Sequence, residues 1–178
     1  MIKNIEESKI LNNVFLIKLN YFEDFRGEYL EIYNKKEYSD VLKPFIGDVR
    51  FVEDDISTAT KHVIKGIHGN NKTWKLISCL HGKIYVIVAD PKTFKWQSFI
   101  LSDTNKHQLL IPPKLGNGHM CLSEKSIYHY KQSTYYDLKN QFTIVWNDER
   151  YRFHWPMNNP IVSQRDMTGD KKHVHVEK

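Results

Sequence analysis

A histidine flanked by glycines is the first feature of the sequence that could carry chemistry. The segment Lys65-Gly66-Ile67-His68-Gly69 lies shortly before a strongly apolar run. Glycine on either side permits a ligand to approach the backbone closely, and a neutral imidazole accepts and returns protons near physiological pH. The alternative that the spacing leaves open is a histidine in a surface turn.

Four further side chains could belong to a binding site, and two of them are suited to an anionic substrate. Arg26 stands beside Gly27, which suits an anion, although such a pair alone is more often a solvated turn. Lys75 lies in an apolar, strand-like run, where an inward ammonium needs a partner or an anionic ligand. Tyr128 and Tyr130 alternate on another predicted strand, so they face one side together, either of a site or of a half-exposed aromatic surface.

The nine histidines show no pattern typical of a metal site. Metal ligands must converge on one ion, and a compact site on one strand places two histidines one residue apart. The one such pair, His173 and His175, lies in the charged C-terminal tail, where a solvated tail is the simpler interpretation. The sequence therefore predicts no metal.

The composition favours a folded protein that binds a small anion. The chain has 178 residues, of which 40% are hydrophobic and 26% charged, and its net charge is +5. Its basic residues are scattered, which argues against nucleic acid as a partner. Neither a membrane span nor a signal peptide is predicted, because the apolar runs are short and residues 1–13 are polar. Cys79 and Cys121 form no motif, and we expect buried, reduced thiols in a cytoplasmic protein.

Short apolar segments between turn signals predict an all-β architecture. About ten candidate strands recur every 8–12 residues or so, as in a sandwich or barrel. One helix is predicted over residues 35–42, capped by Asn34. No linker or repeat divides the chain, so residues 1–178 are expected to form a single domain. The candidate strands are residues 14–17, 29–33, 51–52, 74–80, 83–89, 96–101, 108–111, 120–122, 126–131 and 142–146.

The order of several short motifs resembles that of one enzyme family. These motifs include FEDFRGEYLEIY at 22–33, FVEDD at 51–55, IKGIH at 64–68, HYK at 129–131 and SQRD at 163–166. Together they resemble the dTDP-4-dehydrorhamnose 3,5-epimerase family over about residues 14–168. The resemblance implies a double-stranded β-helix, or cupin-like jelly roll, with a few short helices. It also implies a homodimer without metal or cofactor that epimerises carbons beside the C4 ketone of a nucleotide-linked sugar.

The resemblance assigns a role to four residues in this reaction. His68 is implied to be the base that removes the proton beside the ketone, and Asp166 is implied to hold the imidazole. Tyr130 is implied to return a proton on the other face of the sugar ring. Lys75 is implied to stabilise the enolate oxygen. These roles fit the chemistry, since an enolate mechanism needs a base, an acid and an electrostatic partner for the oxygen.

Substrate contacts are implied at three further positions. Arg26 and Glu31 match the contact positions of the RG-x-x-x-E segment, with Arg26 near a phosphate and able to act on the site of a neighbouring subunit. Lys65 stands where the family usually has arginine. It keeps the positive charge but lacks the planar fork that grips a phosphate.

Other positions depart from the family pattern. Glu53 and Asp55 replace the neutral glutamine and asparagine of the QDN segment, and a carboxylate can accept hydrogen bonds from a guanine edge. Asn117 takes the place of a histidine, while His119, two residues later, faces the same side of the strand. Val86 replaces an aspartate. All four of the polar residues are candidate substrate contacts.

The stretches GIHGNNKTWKL, PPKLGNGH and YKQSTYY resemble epimerases that act on GDP-linked 4-keto-heptoses for bacterial capsules. We therefore expect a GDP-linked 4-keto-(6-deoxy)heptose as substrate, with dTDP-4-keto-6-deoxyglucose as the alternative. Two rival hypotheses are a related cupin ketoisomerase or metal-dependent cupin enzyme, and a sugar-nucleotide binding module without catalysis. The matched residues do not decide between inversion at C3, at C5 or at both.

Overall fold

The computed structural model describes residues 1–170, which form fourteen strands, two α-helices and one short 3-10 turn. The predicted pair His173 and His175 lies outside the described residues. The strands are β1 (Ile2–Glu7), β2 (Phe15–Leu19), β3 (Phe22–Asp24), β4 (Gly27–Tyr29), β5 (Glu53–Thr60), β6 (Val63–Asn70), β7 (Lys75–His81), β8 (Lys83–Ala89), β9 (Trp96–Ser102), β10 (His107–Ile111), β11 (Gly116–Cys121), β12 (Lys125–Gln132), β13 (Gln141–Thr143) and β14 (Ile161–Val162). The helices are α1 (Lys35–Ile46) and α2 (Gln164–Thr168), and the 3-10 turn is Leu138–Asn140.

Strands β5 to β12 form a jelly roll. The first sheet has the order β1-β2-β10-β7-β12-β5 and the second has the order β13-β6-β11-β8-β9. Within them β5 pairs with β12, β6 with β11, β7 with β10 and β8 with β9, all antiparallel. This nested pairing is that of a long antiparallel ribbon wound into two facing sheets, and it confirms the predicted double-stranded β-helix.

Strand β8 shows why the sequence folds in this way. Its side chains alternate between two hydrophobic clusters, with Ile84, Val86 and Val88 between the sheets and Ile87 and Ala89 on the outer face of the second sheet. A strand that is buried on both faces reads as a continuous apolar run rather than an alternating one. The chain segment after residue 141 covers the outer face, and an apolar strand is therefore stable there.

Helix α1 covers the outer face of the first sheet. The side chain of Asn34 accepts hydrogen bonds from the backbone at Lys36 and Glu37, which confirms the predicted cap. The helix runs four residues beyond the predicted end, through Pro44 to Ile46. Gly47 ends it, since its φ of 71° lies in the left-handed region that glycine adopts without strain.

Most of the predicted strands are present, but several predictions differ from the structure. The prediction for residues 29–33 is wrong beyond Tyr29, where β4 ends. The prediction of a strand at 51–52 is wrong, since β5 begins at Glu53, and β1, β3, β5, β6 and β14 were not predicted. The sequences EDDISTAT of β5 and VIKGIHGN of β6 are too polar to produce a hydrophobic signal. Their polar side chains line the inside of the roll, so these strands lack the apolar alternation that usually marks a strand.

Two observations bear on the expected setting of the protein. Within residues 1–170, no helix is long and apolar enough to cross a membrane. Cys79 and Cys121 are free and buried, as predicted. The single domain over residues 1–178 stays a prediction.

Candidate active site

A β-bulge at Gly66 turns Lys65 and His68 to the same side of β6. His68 lies opposite Asn117 of β11, and Lys65 lies opposite His119. The two pairs are therefore three residues apart on β6 but only two residues apart on β11. Without the extra residue, positions three apart on a strand would point to opposite faces. Gly66 has a φ of 104°, and a Cβ there would lie 2.7 Å from the Asn117 carbonyl oxygen. The glycine is therefore required for the bulge.

His68 forms a hydrogen-bonded pair with Asp166. The imidazole Nε2 lies 2.6 Å from Oδ1 of Asp166, and the other carboxylate oxygen accepts the backbone N–H of Gly66 at 3.1 Å. Ser163 caps α2 and accepts the backbone N–H of Asp166, which fixes the start of the helix. The second sheet and α2 thus position the two partners from opposite ends of the sequence.

The protonation of this pair follows from its surroundings. Burial alone would raise the pKa of Asp166, but the hydrogen bonds from His68 and Gly66 outweigh it and leave that pKa lowered. An ionised carboxylate can only accept, so Nε2 carries the hydrogen and Nδ1 keeps its lone pair. Burial also lowers the pKa of His68, although Asp166 opposes this effect. The imidazole at neutral pH is therefore uncharged and able to act as a base.

Tyr130 faces the cavity from the opposite sheet, on β12. Burial, followed by the nearby carboxylates of Asp55 and Glu53, raises the pKa of Tyr130 to about 12. The hydroxyl is therefore protonated over the physiological range and can donate. Within residues 1–170 it makes no hydrogen bond, which leaves it available to a ligand.

Lys75 projects inward from β7 and reaches Asn117 of the second sheet. Its Nζ donates to Oδ1 of Asn117 at 3.1 Å, and Nδ2 of Asn117 donates to the hydroxyl of Tyr128 at 3.0 Å. Burial, with a smaller effect of Arg165, lowers the pKa of Lys75 to about 8. A desolvated ammonium at this position can stabilise a negative charge that develops beside it.

His119 also points into the roll, as its alternation with Asn117 predicts. Its ring stacks on Tyr128 with centroids 4.2 Å apart, and its Nε2 is buried without a partner among the described residues. Burial, with a smaller effect of Lys65, lowers the pKa of His119 to about 3. This imidazole is therefore neutral. Val86, where the family resemblance implies an aspartate, is buried in the core.

These side chains surround a cavity of about 640 Å³ between the two sheets. A cavity of this size accommodates a small organic ligand. Its polar lining comprises Ser57, Lys65, His68, Lys75, Asn117, His119, Tyr128, Tyr130, Gln132, Tyr136, Gln141, Ser163, Arg165 and Asp166.

Besides Lys75, two further cations of the lining have only neutral hydrogen-bond partners in the described part of the chain. Nζ of Lys65 donates to the Ser57 hydroxyl at 2.7 Å and to the carbonyl of Thr58. Arg165 is 6% exposed, and its guanidinium donates to Thr143 and Gln141. The sequence analysis missed Arg165, although its position beside Asp166 in SQRD was a usable signal. A buried guanidinium without a carboxylate is suited to an anionic ligand.

The structure does not bring Arg26 or Glu31 into this cavity. Arg26 lies on the exposed β3–β4 hairpin and pairs with Asp24 at 2.6 Å. Glu31 lies beyond the hairpin, near Asn34. Neither residue lines the cavity of its own chain.

Glu53 and Asp55 lie on β5 at the edge of the site. Asp55 is directly opposite Tyr130, so the two side chains share a face of the sheet. Both oxygens of Glu53 are engaged, one by the Gln132 amide at 2.6 Å and the other by the backbone N–H of Tyr136 at 2.7 Å. Burial and the neighbouring Glu53 raise the pKa of Asp55. Asp55 therefore has more hydrogen-bonding capacity left for a ligand than Glu53.

No cluster of three or more His, Cys, Asp or Glu side chains in residues 1–170 has the geometry of a metal site. The prediction that the enzyme needs no metal stays a prediction.

The jelly roll and its paired histidine and aspartate, facing a tyrosine across a cavity, define a cupin-like protein with a candidate acid–base site. The model of the dTDP-4-dehydrorhamnose 3,5-epimerase family matches residues 8–172, and the chain belongs to this family. The expectation of an epimerase-type enzyme, an isomerase, is confirmed at that level.

Three relatives illustrate the similarity. The chain is 32% identical to the dTDP-4-dehydrorhamnose 3,5-epimerase of Salmonella typhimurium over 163 residues, which cover 86% of this chain and 87% of that one. The structure of the Bacillus anthracis enzyme of the same name, with TDP and PPi bound, has 31% identity and a TM-score of 0.84, and the match covers 94% and 98% of the two chains. A Legionella pneumophila dTDP-6-deoxy-D-glucose-3,5-epimerase in complex with dTDP-4-keto-L-rhamnose has 29% identity and a TM-score of 0.83, with 92% and 89% covered.

Proposed function

We propose that the protein inverts C3, C5 or both beside the C4 ketone of a nucleotide-diphosphate sugar, through an enolate. The observation that carries this proposal is the 2.6 Å contact between His68 Nε2 and Asp166 in a cavity that Tyr130 and Lys75 enter from the opposite sheet. We favour a dTDP-linked 4-keto-6-deoxy sugar as substrate, because dTDP-sugar epimerases are the similar proteins.

The mechanism assigns one task to each of four side chains. Nδ1 of His68 removes the proton from the carbon beside the ketone, and the electron pair moves onto the C4 oxygen. The resulting imidazolium is stabilised by Asp166. Lys75 stabilises the enolate oxygen, and the hydroxyl of Tyr130 returns a proton from the other face. Since His68 and Tyr130 belong to opposite sheets, the proton leaves and returns on opposite sides, which inverts the carbon.

The pyrophosphate is assigned to the two cations, other than Lys75, that lack a carboxylate partner. Lys65 and Arg165 lie on the wall of the cavity and have only neutral hydrogen-bond partners among residues 1–170. In a homodimer, which the family resemblance implies, Arg26 would act on the partner's site. Its exposed hairpin, remote from its own cavity, supports that assignment.

A GDP-linked 4-keto-heptose is the second candidate substrate. The observation that favours it is the acidic side chain of Asp55, which lies beside Tyr130 at the edge of the site and can accept a hydrogen bond from a guanine N–H. Glu53 contributes less, because both of its oxygens are held within the chain. The cytoplasmic location, favoured by the free cysteines, is part of the same proposal.

NMR in heavy water tests the function and the nucleotide together. The wild-type protein, after treatment with a chelator, is incubated with dTDP- and GDP-linked 4-keto sugars in parallel. We expect deuterium at C3, C5 or both of the dTDP-linked sugar. Faster exchange of the GDP-linked sugar would transfer the assignment to the second candidate, and no exchange of either would contradict an epimerase. Binding of both without exchange would support a module that binds but does not catalyse.

A further inference from the structure

Asn117 joins two cavity side chains of the first sheet that the reaction described above does not connect. Its carboxamide oxygen accepts from Lys75 Nζ at 3.1 Å and its amide nitrogen donates to the Tyr128 hydroxyl at 3.0 Å. The orientation of the amide is dictated by chemistry, because an ammonium group can only donate. The oxygen must therefore face Lys75, and the NH₂ group must face Tyr128.

This arrangement leaves the proton of Tyr128 unused. The phenolic oxygen accepts from Asn117, and no acceptor for its own O–H is present among residues 1–170. Tyr128 is 6% exposed and lines the cavity, so its hydroxyl proton is available to a ligand there. Lys75 likewise uses one of its three protons on Asn117 and makes no other hydrogen bond within the described residues.

The ring of Tyr128 is fixed by packing. It stacks on His119 with an interplanar angle of 10°, and it packs within the cluster between the sheets. A donor whose position is set by a stacked ring and a held oxygen does not need to reorganise when charge develops nearby.

We propose that Lys75 and Tyr128 together form an oxyanion site for the C4 enolate, and that Asn117 is the positioning residue that clamps both donors. This inference rests on the proposed function and deepens it. Lys75 supplies charge, and Tyr128 supplies a second, neutral hydrogen bond to the same oxygen. The enolate oxygen carries more negative charge than the ketone, so the two donors bind the transition state more strongly than the substrate. Asn117 acts through these donors rather than by touching the sugar.

Three variants and one control test the arrangement. Tyr128→Phe removes the hydroxyl but keeps the ring on His119, Asn117→Ala removes the clamp, and the third variant combines both changes. Tyr85→Phe is the control, since its hydroxyl donates to the His154 carbonyl at 2.9 Å and lies outside the cavity. For each protein, kcat and KM for deuterium exchange, the affinity for dTDP and the thermal midpoint are measured.

Tyr128→Phe is expected to lower kcat about 100-fold, the usual effect of removing one oxyanion donor, with KM and dTDP affinity within about twofold. Asn117→Ala is expected to lower kcat at least as much. The double variant should be no slower than Asn117→Ala by more than about twofold, because without Asn117 the Tyr128 hydroxyl proton is no longer oriented toward the enolate oxygen. Tyr85→Phe should keep wild-type kinetics.

The inference would be overturned if kcat is unchanged in Tyr128→Phe, if only KM changes, or if the losses multiply in the double variant. Each of these results would leave the proposed epimerase function standing. Absence of exchange in the wild type would overturn both. If Tyr128→Phe fails to fold, the kcat and KM of Asn117→Ala decide the question by the same criterion.

Discussion

His68 and Asp166 are 98 positions apart in the sequence, yet Nε2 of the one lies 2.6 Å from Oδ1 of the other. The carboxylate reaches the imidazole because β14 pairs in parallel with the start of β6 and delivers α2 to the end of the cavity. The pair is thus a product of the whole fold, and removal of either partner should affect chemistry more than folding.

Asp166→Asn tests the orienting role of the carboxylate. An amide can donate to Nε2, which would favour the tautomer with hydrogen on Nδ1 and leave no base toward the substrate. We expect kcat to fall by about 10³- to 10⁴-fold, as in other histidine–carboxylate pairs. Asp103→Asn is the control, because Asp103 faces His81 at 3.6 Å outside the cavity. Equal kinetics of the two variants would refute the role of Asp166.

Gly66→Ala tests the bulge. A Cβ at this position would lie 2.7 Å from backbone atoms of β11, in addition to the strain of a φ of 104°. Gly47→Ala is a matched control, since Gly47 has a φ of 71° and open space around it. Strain alone costs about 1–3 kcal/mol, and we expect Gly66→Ala to lose more free energy of unfolding than Gly47→Ala in urea denaturation. Similar losses would show that close packing of the bulge is unimportant.

The pH dependence of kcat should be bell-shaped. His68 must be neutral to act as a base, and burial lowers its pKa, so activity should be lost only as pH falls below the usual histidine value of about 6.5. Lys75 must be charged, and its pKa is lowered to about 8, so activity should also fall as pH rises through that range. In Lys75→Arg the cation cannot be titrated, and the alkaline limb should move to higher pH. If the alkaline limb does not move, it reflects the titration of a group other than Lys75.

Mixing two inactive variants tests whether Arg26 acts on the partner's site. A heterodimer of Arg26→Ala and His68→Asn subunits contains one site with both native residues only if Arg26 works in trans. Random exchange of equal amounts should then restore about a quarter of the wild-type activity, since half of the dimers are mixed and each has one good site. If Arg26 acts in its own subunit, or if the protein is monomeric, the mixture stays inactive.

Parts of this fold could be predicted from local patterns. Strand β8 is a continuous run of apolar and aromatic residues from Ile84 to Ala89 because both of its faces are covered, and the capping residue Asn34 marks the start of α1. Strand β5 gave no such signal, since Glu53, Asp55 and Ser57 face the site rather than a hydrophobic core. Its identity depends on pairing with β12, which is a long-range contact.

The site was predictable only in part for the same reason. The resemblance to the family identified His68 and Asp166 by their motifs, and alternation placed His119 beside Asn117. The bulge at Gly66 depends on how β6 pairs with β11, and the contacts of Asn117 depend on the distance between the sheets. No pattern within one segment of sequence carries that information.

If His68 abstracts the proton beside the ketone, its replacement by asparagine must stop solvent exchange at that carbon. NMR in heavy water follows deuterium at C3 and C5 of a dTDP-linked 4-keto sugar, with His81→Asn as the control because His81 lies outside the cavity and faces its own aspartate. We expect exchange with the wild type and with His81→Asn, and none with a folded His68→Asn that still binds dTDP. Exchange at the wild-type rate in His68→Asn would contradict this role of His68.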